Sequence, residues 1–295
     1  MSTNTNKANA VTVIGLGPMG KAMVRSFLNN GYTTTVWNRT PSRADDLVAE
    51  GAVRAGTPAE ALTASELVIL SLTDYQAMYD ILEQAPDALA GRVIVNLSSD
   101  TPERSREAAA WLAERGARLL VGGVMVPAPM VGTEAAYVFY SGPRDTFDAR
   151  VATLRLLGKP DYRGEDHALA QLLYQALLDI LLNVLAAILH AAALAGSAGI
   201  PAATLMPYVP DMLGLGQSFL DEAAQQVEER TYPGDLSTVI MMGATADHIV
   251  TASRQAGIDT TLPEAIKHYY DRAIATGYGK DNWTSLYEVI TKPAG

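Results

Sequence analysis

Residues 165–196 constrain the fold of this chain more than any other stretch of the sequence. They read EDHALAQLLYQALLDILLNVLAAILHAAALAG, in which alanine and leucine dominate and no glycine or proline interrupts the run before Gly196. This composition predicts one long helix that ends at Gly196. At about 1.5 Å per residue, such a helix extends well over about 40 Å. We therefore expect it to connect two lobes rather than to lie inside one.

The faces of this predicted helix differ, although most of its surface is apolar. At about 100° per residue, one line carries a tyrosine and leucines, namely Tyr174, Leu178, Leu181 and Leu185. Another line is polar and comprises Gln175, Asp179, Asn183 and His190. A helix apolar on nearly every side must be covered, which for an exposed connector implies a second chain. A membrane span is the alternative, but the polar residues in its middle and the lack of a flanking basic cluster argue against it.

Composition narrows the possible functions. The chain has 295 residues, enough for two domains with a sizeable core. A net charge of −10 and the lack of a basic run argue against nucleic acid and anionic membranes as partners. There are no cysteines, which excludes a disulfide framework and a thiolate zinc site. The first residues, MSTNTNKANA, lack the apolar core of a secretion signal, so we expect a soluble cytoplasmic protein.

A glycine pattern typical of nucleotide-binding turns lies near the amino terminus. Residues 10–20 read AVTVIGLGPMG, a β-branched run followed by G-x-G-x-x-G and then by a helical pattern. In such a turn the glycines permit a tight bend, close approach of a pyrophosphate and tight helix packing. A glycine-rich strand end without a ligand is the alternative, but the next predicted strand arrives at the spacing of a βαβ unit. The residues expected to contact a dinucleotide here are Gly15, Leu16, Gly17, Pro18 and Met19.

The end of the second predicted strand indicates which dinucleotide binds. An NAD site places a carboxylate here to bind the ribose 2′-hydroxyl, but this chain has Asn38 followed by Arg39. Arg39, the Thr40 hydroxyl and Arg43 can bind a 2′-phosphate by charge-assisted hydrogen bonds. The sequence therefore favours NADP over NAD. A solvated pair of surface arginines is the alternative.

Further alternation of strands and helices predicts an α/β fold with a doubly wound parallel sheet. Residues 67–72 and 93–97 read as buried strands, and residues 118–123 and 135–141 as later ones. Ligands of such sheets bind beyond the carboxyl ends of the strands, which suggests further cofactor contacts at Leu72, Thr73, Asp74, Asn96 and Ser98. For Asn96 a role in capping the turn is equally consistent. Residues 122–132 form an uncharged loop, and we expect it to line a substrate pocket with Met125 and Val126, unless it is an ordinary packed connector.

The chain after Gly196 reads as helical throughout, with the glycines of residues 213–216 interrupting one helix. We therefore predict three parts: an NADP-binding Rossmann domain over residues 1–164, an inter-domain helix over 165–196, and a helical dimerisation and substrate domain over 197–295.

The motifs GLGPMG, VWNRT, SLTDYQA, VNLSS and VPAPMVG, with Leu-Tyr on the long helix ahead of HAAALAGSAG, resemble those of the bacterial NADPH-dependent imine reductases. That family belongs to the β-hydroxyacid dehydrogenase superfamily. The resemblance implies a Rossmann domain, a long inter-domain helix and a helical bundle. It also implies a homodimer whose chains exchange their helical domains, so that each active site takes residues from both.

The resemblance also implies a catalytic residue. The hydroxyacid dehydrogenases carry a catalytic lysine on this helix, whereas this chain has no lysine between Lys159 and Lys267. Imine reductases carry Asp, Tyr or Asn as proton donor, and counting back without gaps from His190 places that position on Tyr174. This assigns the chain to the tyrosine class, whereas a slip of one residue would select Gln175. A tyrosine that only satisfies a neighbouring backbone group is the structural alternative.

Met241 resembles the pocket methionine that the exchanged helical domain supplies in this family, although a core position fits it equally well. We also predict substrate contacts at Leu178 and Asp179, although Asp179 fits a structural polar ribbon as well. No histidine pair has metal-ligand spacing, so we assign no metal. The predicted function is reduction of imines or iminium ions by NADPH, cyclic imines included, and possible reductive amination of a ketone with an amine. The alternatives are a β-hydroxyacid or aldehyde reductase for small carbonyl compounds and a non-catalytic NADP-binding dimer.

Overall fold

The computed structural model describes residues 9–235 and 237–292. The chain divides into two units, one up to Asp179 and one from Ile180. The first unit is built on a sheet and the second on helices.

The sheet of the first unit has eight strands in the order β3-β2-β1-β4-β5-β6-β7-β8. The strands are β1 (Ala10–Ile14), β2 (Thr33–Trp37), β3 (Val53–Arg54), β4 (Leu67–Leu70), β5 (Val93–Asn96), β6 (Arg118–Val124), β7 (Tyr137–Ser141) and β8 (Lys159–Gly164). Strands β1 to β6 are parallel, and β7 pairs with β6 in the antiparallel direction. Strand β8 is parallel to β7. The prediction of an α/β fold is confirmed, but the sheet is mostly rather than wholly parallel.

The reversal between β6 and β7 has a simple cause. A parallel return requires a crossover of about a dozen or more residues, which is usually a helix. The connection between Val124 and Tyr137 contains one short 3₁₀ turn, Ala128–Met130, and no α-helix. The chain therefore returns antiparallel beside β6, and the apolar loop lies at the carboxyl edge of that strand.

Helices cover both faces of the sheet. They are α1 (Pro18–Asn29), α2 (Asp45–Ala49), α3 (Pro58–Ala64), α4 (Tyr75–Leu82), α5 (Pro102–Ala113) and α6 (Arg144–Leu154). Side chains along a strand alternate between the two faces, so Ile69 and Val95 belong to one apolar cluster and Val68 and Ile94 to the other. Two buried layers therefore hold the strand ends of the first unit in fixed positions.

The long helix α7 spans Ala168–Ser197, so its predicted start at residue 165 is three residues too early. Asp166 ends the preceding loop, because its carboxylate accepts a hydrogen bond from the Ala168 N–H at 3.0 Å. The predicted end at Gly196 is also early. Gly199 has φ +79°, and the Ile200 N–H donates to the Ala195 carbonyl at 3.2 Å, a glycine-based helix ending that satisfies the last carbonyls.

Helix α7 is long and apolar enough, by length and composition alone, to cross a membrane. Several of its leucines in the second unit are exposed: Leu181 and Leu185 are each 48% exposed, and Leu182 and Leu189 are 63% and 68% exposed. Exposed apolar area on this scale is typical of a surface that another molecule covers.

The second unit continues with α8 (Ala202–Leu205), α9 (Val209–Gln217), α10 (Leu220–Glu229), α11 (Val239–Gln255), α12 (Thr261–Ala275) and α13 (Leu286–Ile290). Its small core lies around α11 and α12 and includes Val239, Tyr270 and Ala273. The expected interruption at residues 213–216 is wrong, since α9 continues through both glycines. The break follows at Ser218 and Phe219, where the Phe219 N–H donates to the Gly216 carbonyl.

Candidate active site

The carboxyl ends of the parallel strands bring most of the predicted site residues to one edge of the sheet. The glycine turn follows β1, Asn38 follows β2, Leu72 follows β4, Asn96 ends β5 and Met125 follows β6. Open α/β sheets bind their ligands at this edge. The structure therefore places these residues where a dinucleotide site is expected.

The glycine turn combines two tightly packed positions with one open position. Gly15 has φ +97°, and a Cβ there would lie 2.2 Å from the Ser71 carbonyl oxygen. A Cβ on Gly20 would lie 1.9 Å from the Gly15 carbonyl oxygen. By contrast, apart from its chain neighbours, no described residue has an atom within 4 Å of a Cβ built on Gly17, which precedes α1 without a side-chain cap. The amino terminus of α1 is therefore open to an anionic group such as a pyrophosphate.

Asn38 joins this turn to the end of β2. Its Oδ1 accepts a hydrogen bond from the Leu16 N–H at 3.0 Å, and its Nδ2 donates to the Thr40 carbonyl at 3.0 Å. Both ends of the amide are thus used to hold the two loops together. Leu16 is buried, whereas Pro18 and Thr40 are exposed and Met19 is partly buried.

Arg39 and Arg43 present exposed guanidinium groups beside this turn. No carboxylate of residues 9–235 or 237–292 forms an ion pair with either of them. Nearby Lys21 and Arg25, in contrast, bind the Asp46 carboxylate at 2.8 and 2.9 Å. Two cations that have no acidic partner among the described residues therefore lie where a 2′-phosphate would have to bind, and these residues fit NADPH.

Polar side chains at the ends of β4 and β5 accept hydrogen bonds from backbone N–H groups and so fix the adjacent loops. The Asn96 side chain is fully buried: its Oδ1 accepts from the Ser98 N–H at 3.0 Å, and its Nδ2 lies 3.4 Å from the Met78 sulfur. Ser98 Oγ in turn accepts from the Leu72 N–H at 3.0 Å. Asp74 caps α4 by accepting from the Ala77 N–H at 2.8 Å. Asn96 therefore caps the turn after β5, as the structural alternative predicted. Leu72 is partly exposed and Thr73 is exposed.

Two glutamines fix the first turns of α7 to this edge. Gln171 is fully buried, and its Nε2 donates to the carbonyls of Ser98 at 2.9 Å and Gly122 at 3.2 Å. Gln175 Nε2 donates to Ser99 Oγ and to the Asp100 carbonyl, both at 3.0 Å. Gln171 is absent from the predicted site. The signal that could have identified it is a second glutamine, one turn before Gln175, in an otherwise apolar helix.

Tyr174 lies between these two glutamines with its ring against Gly123, the residue before the last of β6. A Cβ built on Gly123 would lie 2.8 Å from both Cβ and Cδ2 of Tyr174. No hydrogen bond joins the Tyr174 hydroxyl to any described residue of the chain. Burial raises the pKa of the phenol above its ordinary value, so the group is protonated at neutral pH. Tyr174 is thus a protonated donor at the carboxyl edge that has no hydrogen-bond partner among the described residues.

Partly buried apolar side chains pack against both buried layers of the first unit. Leu72, Met125, Leu173 and Leu177 pack against one layer, and Met19 and Val126 pack against the other. Leu173 and Leu177 are not among the predicted contacts. The predicted contact Leu178 is partly buried, and Asp179 is exposed.

Met241 belongs to the second unit and lies in the first turn of α11. Its N–H donates to Thr238 Oγ1 at 3.3 Å, and its side chain is 49% exposed rather than part of a core. Within residues 9–235 and 237–292, no three histidine or carboxylate side chains are grouped to hold a metal ion.

Comparisons with protein families match two segments of this chain. Residues 10–163 match the NAD binding domain of 6-phosphogluconate dehydrogenase. Residues 166–292 match the C-terminal domain of the NADPH-dependent reductive aminase-like family. Together these segments contain every predicted site residue.

Solved structures give the same result over the whole fold. The chain is similar to an imine reductase from Bacillus cereus, with 48% identity, coverage of 96% and 99% of the two chains and a TM-score of 0.86. It is similar to the Streptomyces aurantiacus imine reductase, with 45% identity, coverage of 96% and 100% and a TM-score of 0.91. A reductive aminase from Aspergillus terreus in complex with NADPH4, cyclohexanone and allyl amine shares 34% identity, with coverage of 96% and 99% and a TM-score of 0.91. Helix α7 belongs to this shared fold of soluble enzymes and is not a membrane span.

Proposed function

This chain belongs to the family of NADPH-dependent imine reductases and reductive aminases, and on that basis we propose that Tyr174 serves its reaction as proton donor or orienting group. The chain is an oxidoreductase that uses NADPH to reduce C=N bonds. The assignment of individual residues rests on the geometry of the first unit. The observation that carries the proposal is the protonated phenol of Tyr174, which has no hydrogen-bond partner among the described residues.

We propose that the glycine turn and the two free arginines hold the cofactor. Gly17 and the amino terminus of α1 would bind the pyrophosphate, and Arg39, Thr40 and Arg43 the 2′-phosphate. Asn38, Asn96, Ser98 and Asp74 would act through the loops that they fix, whereas Leu72 and Thr73 have surface for direct contact. When bound, NADPH supplies the hydride that reduces the C=N carbon.

The proposed role of Tyr174 follows from what an imine requires. An iminium carbon is already electrophilic, so the protein has to orient it, exclude water and supply or hold one proton at nitrogen. A phenol kept neutral by burial can donate that hydrogen bond, directly or through water. On the basis of this role and the lack of lysine on α7, we propose that the chain belongs to the tyrosine class of the family.

The pocket wall favours apolar imines. No arginine or lysine occurs in residues 121–132, which form the end of β6 and most of the connection after it, so this stretch offers no cation to bind a substrate carboxylate. We therefore propose cyclic imines such as 1-pyrroline and 2-methylpyrroline as substrates. We also propose reductive amination of ketones with small amines. The Aspergillus terreus reductive aminase was solved in complex with such a pair, cyclohexanone and allyl amine. Leu178, Asp179 and Met241 are proposed as further substrate contacts.

We further propose that the protein is a cytoplasmic homodimer whose chains exchange residues 197–295. The exposed leucines of α7 in the second unit support a second copy as their cover, because a lone chain would leave this apolar surface in water. The predicted division at residues 164 and 196 remains part of this proposal.

The test is NADPH oxidation with 2-methylpyrroline and, in parallel, with small carbonyl acids. We expect turnover of the imine only, with Tyr174→Phe lowering kcat by up to about 10²-fold. Tyr79→Phe is the matched control, since Tyr79 is also a partly buried phenol whose pKa burial raises. Full activity of Tyr174→Phe at saturating imine would exclude the donor role. Turnover of the carbonyl acids would favour the hydroxyacid reductase alternative. The absence of any turnover would favour a non-catalytic NADP-binding dimer.

A further inference from the structure

We propose that Gly123 is a positioning residue, whose missing side chain sets the place of the Tyr174 hydroxyl. The inference rests on the proposed role of Tyr174. It concerns a residue of β6 that contacts neither substrate nor cofactor in the proposal above.

The contact between the two residues leaves no room for a methyl group. A Cβ on Gly123 would lie 2.8 Å from Tyr174 Cβ, 2.8 Å from Cδ2 and 2.9 Å from Cγ. All three atoms belong to the base of the tyrosine side chain, where it is attached to α7. The base of the tyrosine side chain therefore lies directly against the backbone of β6 at Gly123, where only glycine leaves enough room.

Helix α7 cannot move away to relieve such a contact. Gln171, one turn before Tyr174, donates to the carbonyl of Gly122, the residue adjacent to Gly123, at 3.2 Å. Gln175, the next residue after Tyr174, donates to the Asp100 carbonyl at 3.0 Å. A shift of the helix would break hydrogen bonds on both sides of the tyrosine, and Gln171 is fully buried. The tyrosine side chain itself would have to tilt.

A tilt at the base of the ring is amplified at the hydroxyl, because the hydroxyl is at the far end of the ring. Moving from 2.8 Å to an ordinary contact of 3.4 Å already requires a shift of 0.6 Å at the base. A misplacement of about 1 Å can cost about 10²-fold in rate. We therefore expect Gly123→Ala to lower kcat by about tenfold or more, with little change in the KM for NADPH, since the glycine turn and Arg39 lie at other strands.

The first experiment is a double-mutant cycle in kcat. Gly123→Ala is expected to lower kcat by about tenfold in the wild-type background but less than about twofold when Tyr174 is already Phe. Gly122→Ala is the matched control, because the atoms nearest its Cβ would belong to Leu97, Phe139 and Tyr140, whereas those nearest a Cβ on Gly123 all belong to Tyr174. The control should reduce kcat by the same factor in both backgrounds. An equal loss for Gly123→Ala in both backgrounds, or none in the wild type, would overturn the inference.

The second experiment reads the contact without catalysis, through the thermal stability of the full-length protein. Gly123→Ala should lower Tm when residue 174 is Tyr and lower it much less in the Tyr174→Ala background. If Gly123→Ala alone is insoluble, recovery of soluble protein in the Gly123→Ala, Tyr174→Ala double mutant would support the contact equally. The same Tm loss or insolubility in both backgrounds refutes the contact. A wild type without imine turnover refutes the proposed function and the positioning role, while the stability coupling still shows whether the contact exists.

Discussion

Arg39 offers the sharpest test of how this chain selects its cofactor. The Arg39 guanidinium is exposed and has no acidic partner among the described residues, so its charge is available to a 2′-phosphate. Replacing it by alanine should remove the charge-assisted hydrogen bond that we propose for the 2′-phosphate of NADPH, a group that NADH lacks. Nothing else about the glycine turn changes, because Asn38 holds that turn through its own amide.

The expected size of the effect follows from the setting of this arginine. A hydrogen bond to a charged group contributes about 1.5–3 kcal/mol, and exposure to solvent places Arg39 at the low end of that range. Since about 1.4 kcal/mol corresponds to a factor of ten, Arg39→Ala should lower kcat/KM for NADPH by about tenfold. Arg43 remains and retains part of the preference. The kcat/KM for NADH should stay within about twofold of the wild-type value.

The assay is initial-rate kinetics with saturating 2-methylpyrroline and each cofactor in turn. Arg25→Ala is the matched control, because it removes the same charge from an exposed arginine that already binds Asp46 at 2.9 Å and Glu50 at 2.8 Å. We expect it to leave the NADPH to NADH ratio unchanged. An equal loss with both cofactors for Arg39→Ala, or an equal shift of the ratio by Arg25→Ala, would refute the assignment of the 2′-phosphate to Arg39.

Three further predictions follow from the packing of the site. Gly17→Ala should keep the wild-type Tm but raise the KM for NADPH by about tenfold or more, because its Cβ would enter open space at the amino terminus of α1. Gly20→Ala should instead yield little soluble protein, because its Cβ would lie 1.9 Å from the Gly15 carbonyl oxygen. Equal losses of Tm in the two variants would contradict this. Gln171→Ala should lower the free energy of unfolding by about 2 kcal/mol or more in urea titrations, since it leaves buried backbone groups unpaired. Because burial raises the pKa of Tyr174, the phenol keeps its proton as pH rises to about 10. The pH profile of kcat should therefore show no decrease from this group below that pH. A decrease near pH 8 that disappears in Tyr174→Phe would count against the raised pKa.

The parts of this fold that local patterns determine could be predicted from the sequence. The β-branched run before Gly15 predicts β1, and apolar runs bounded by small polar residues predict β4 and β5, because each signal lies within a few residues. The ends of α7 were harder to predict. Asp166 and Gly199 define those ends, and the preference of an Ala/Leu run for helix does not identify its caps.

The contacts that hold the candidate site together could not be predicted in the same way. Gln171 binds the Ser98 carbonyl across 73 positions of the sequence, so nothing near Gln171 indicates its partner. The same holds for the contact of Tyr174 with Gly123. The direction of β7 depends on the absence of a crossover helix, and the loop before it is as compatible with a pocket wall as with a packed connector.

The reversal of chain direction after β6 has a consequence for how this enzyme can diversify. The connection is tied at Met125, whose N–H donates to the Tyr137 carbonyl, and at Gly132, whose N–H donates to the Leu157 carbonyl. Between these two anchors the backbone takes no part in the ladder of the sheet. Residues can therefore be exchanged or inserted there without disturbing the pairing of the neighbouring strands. Changes of substrate range in evolution or in the laboratory should accumulate in this short connection.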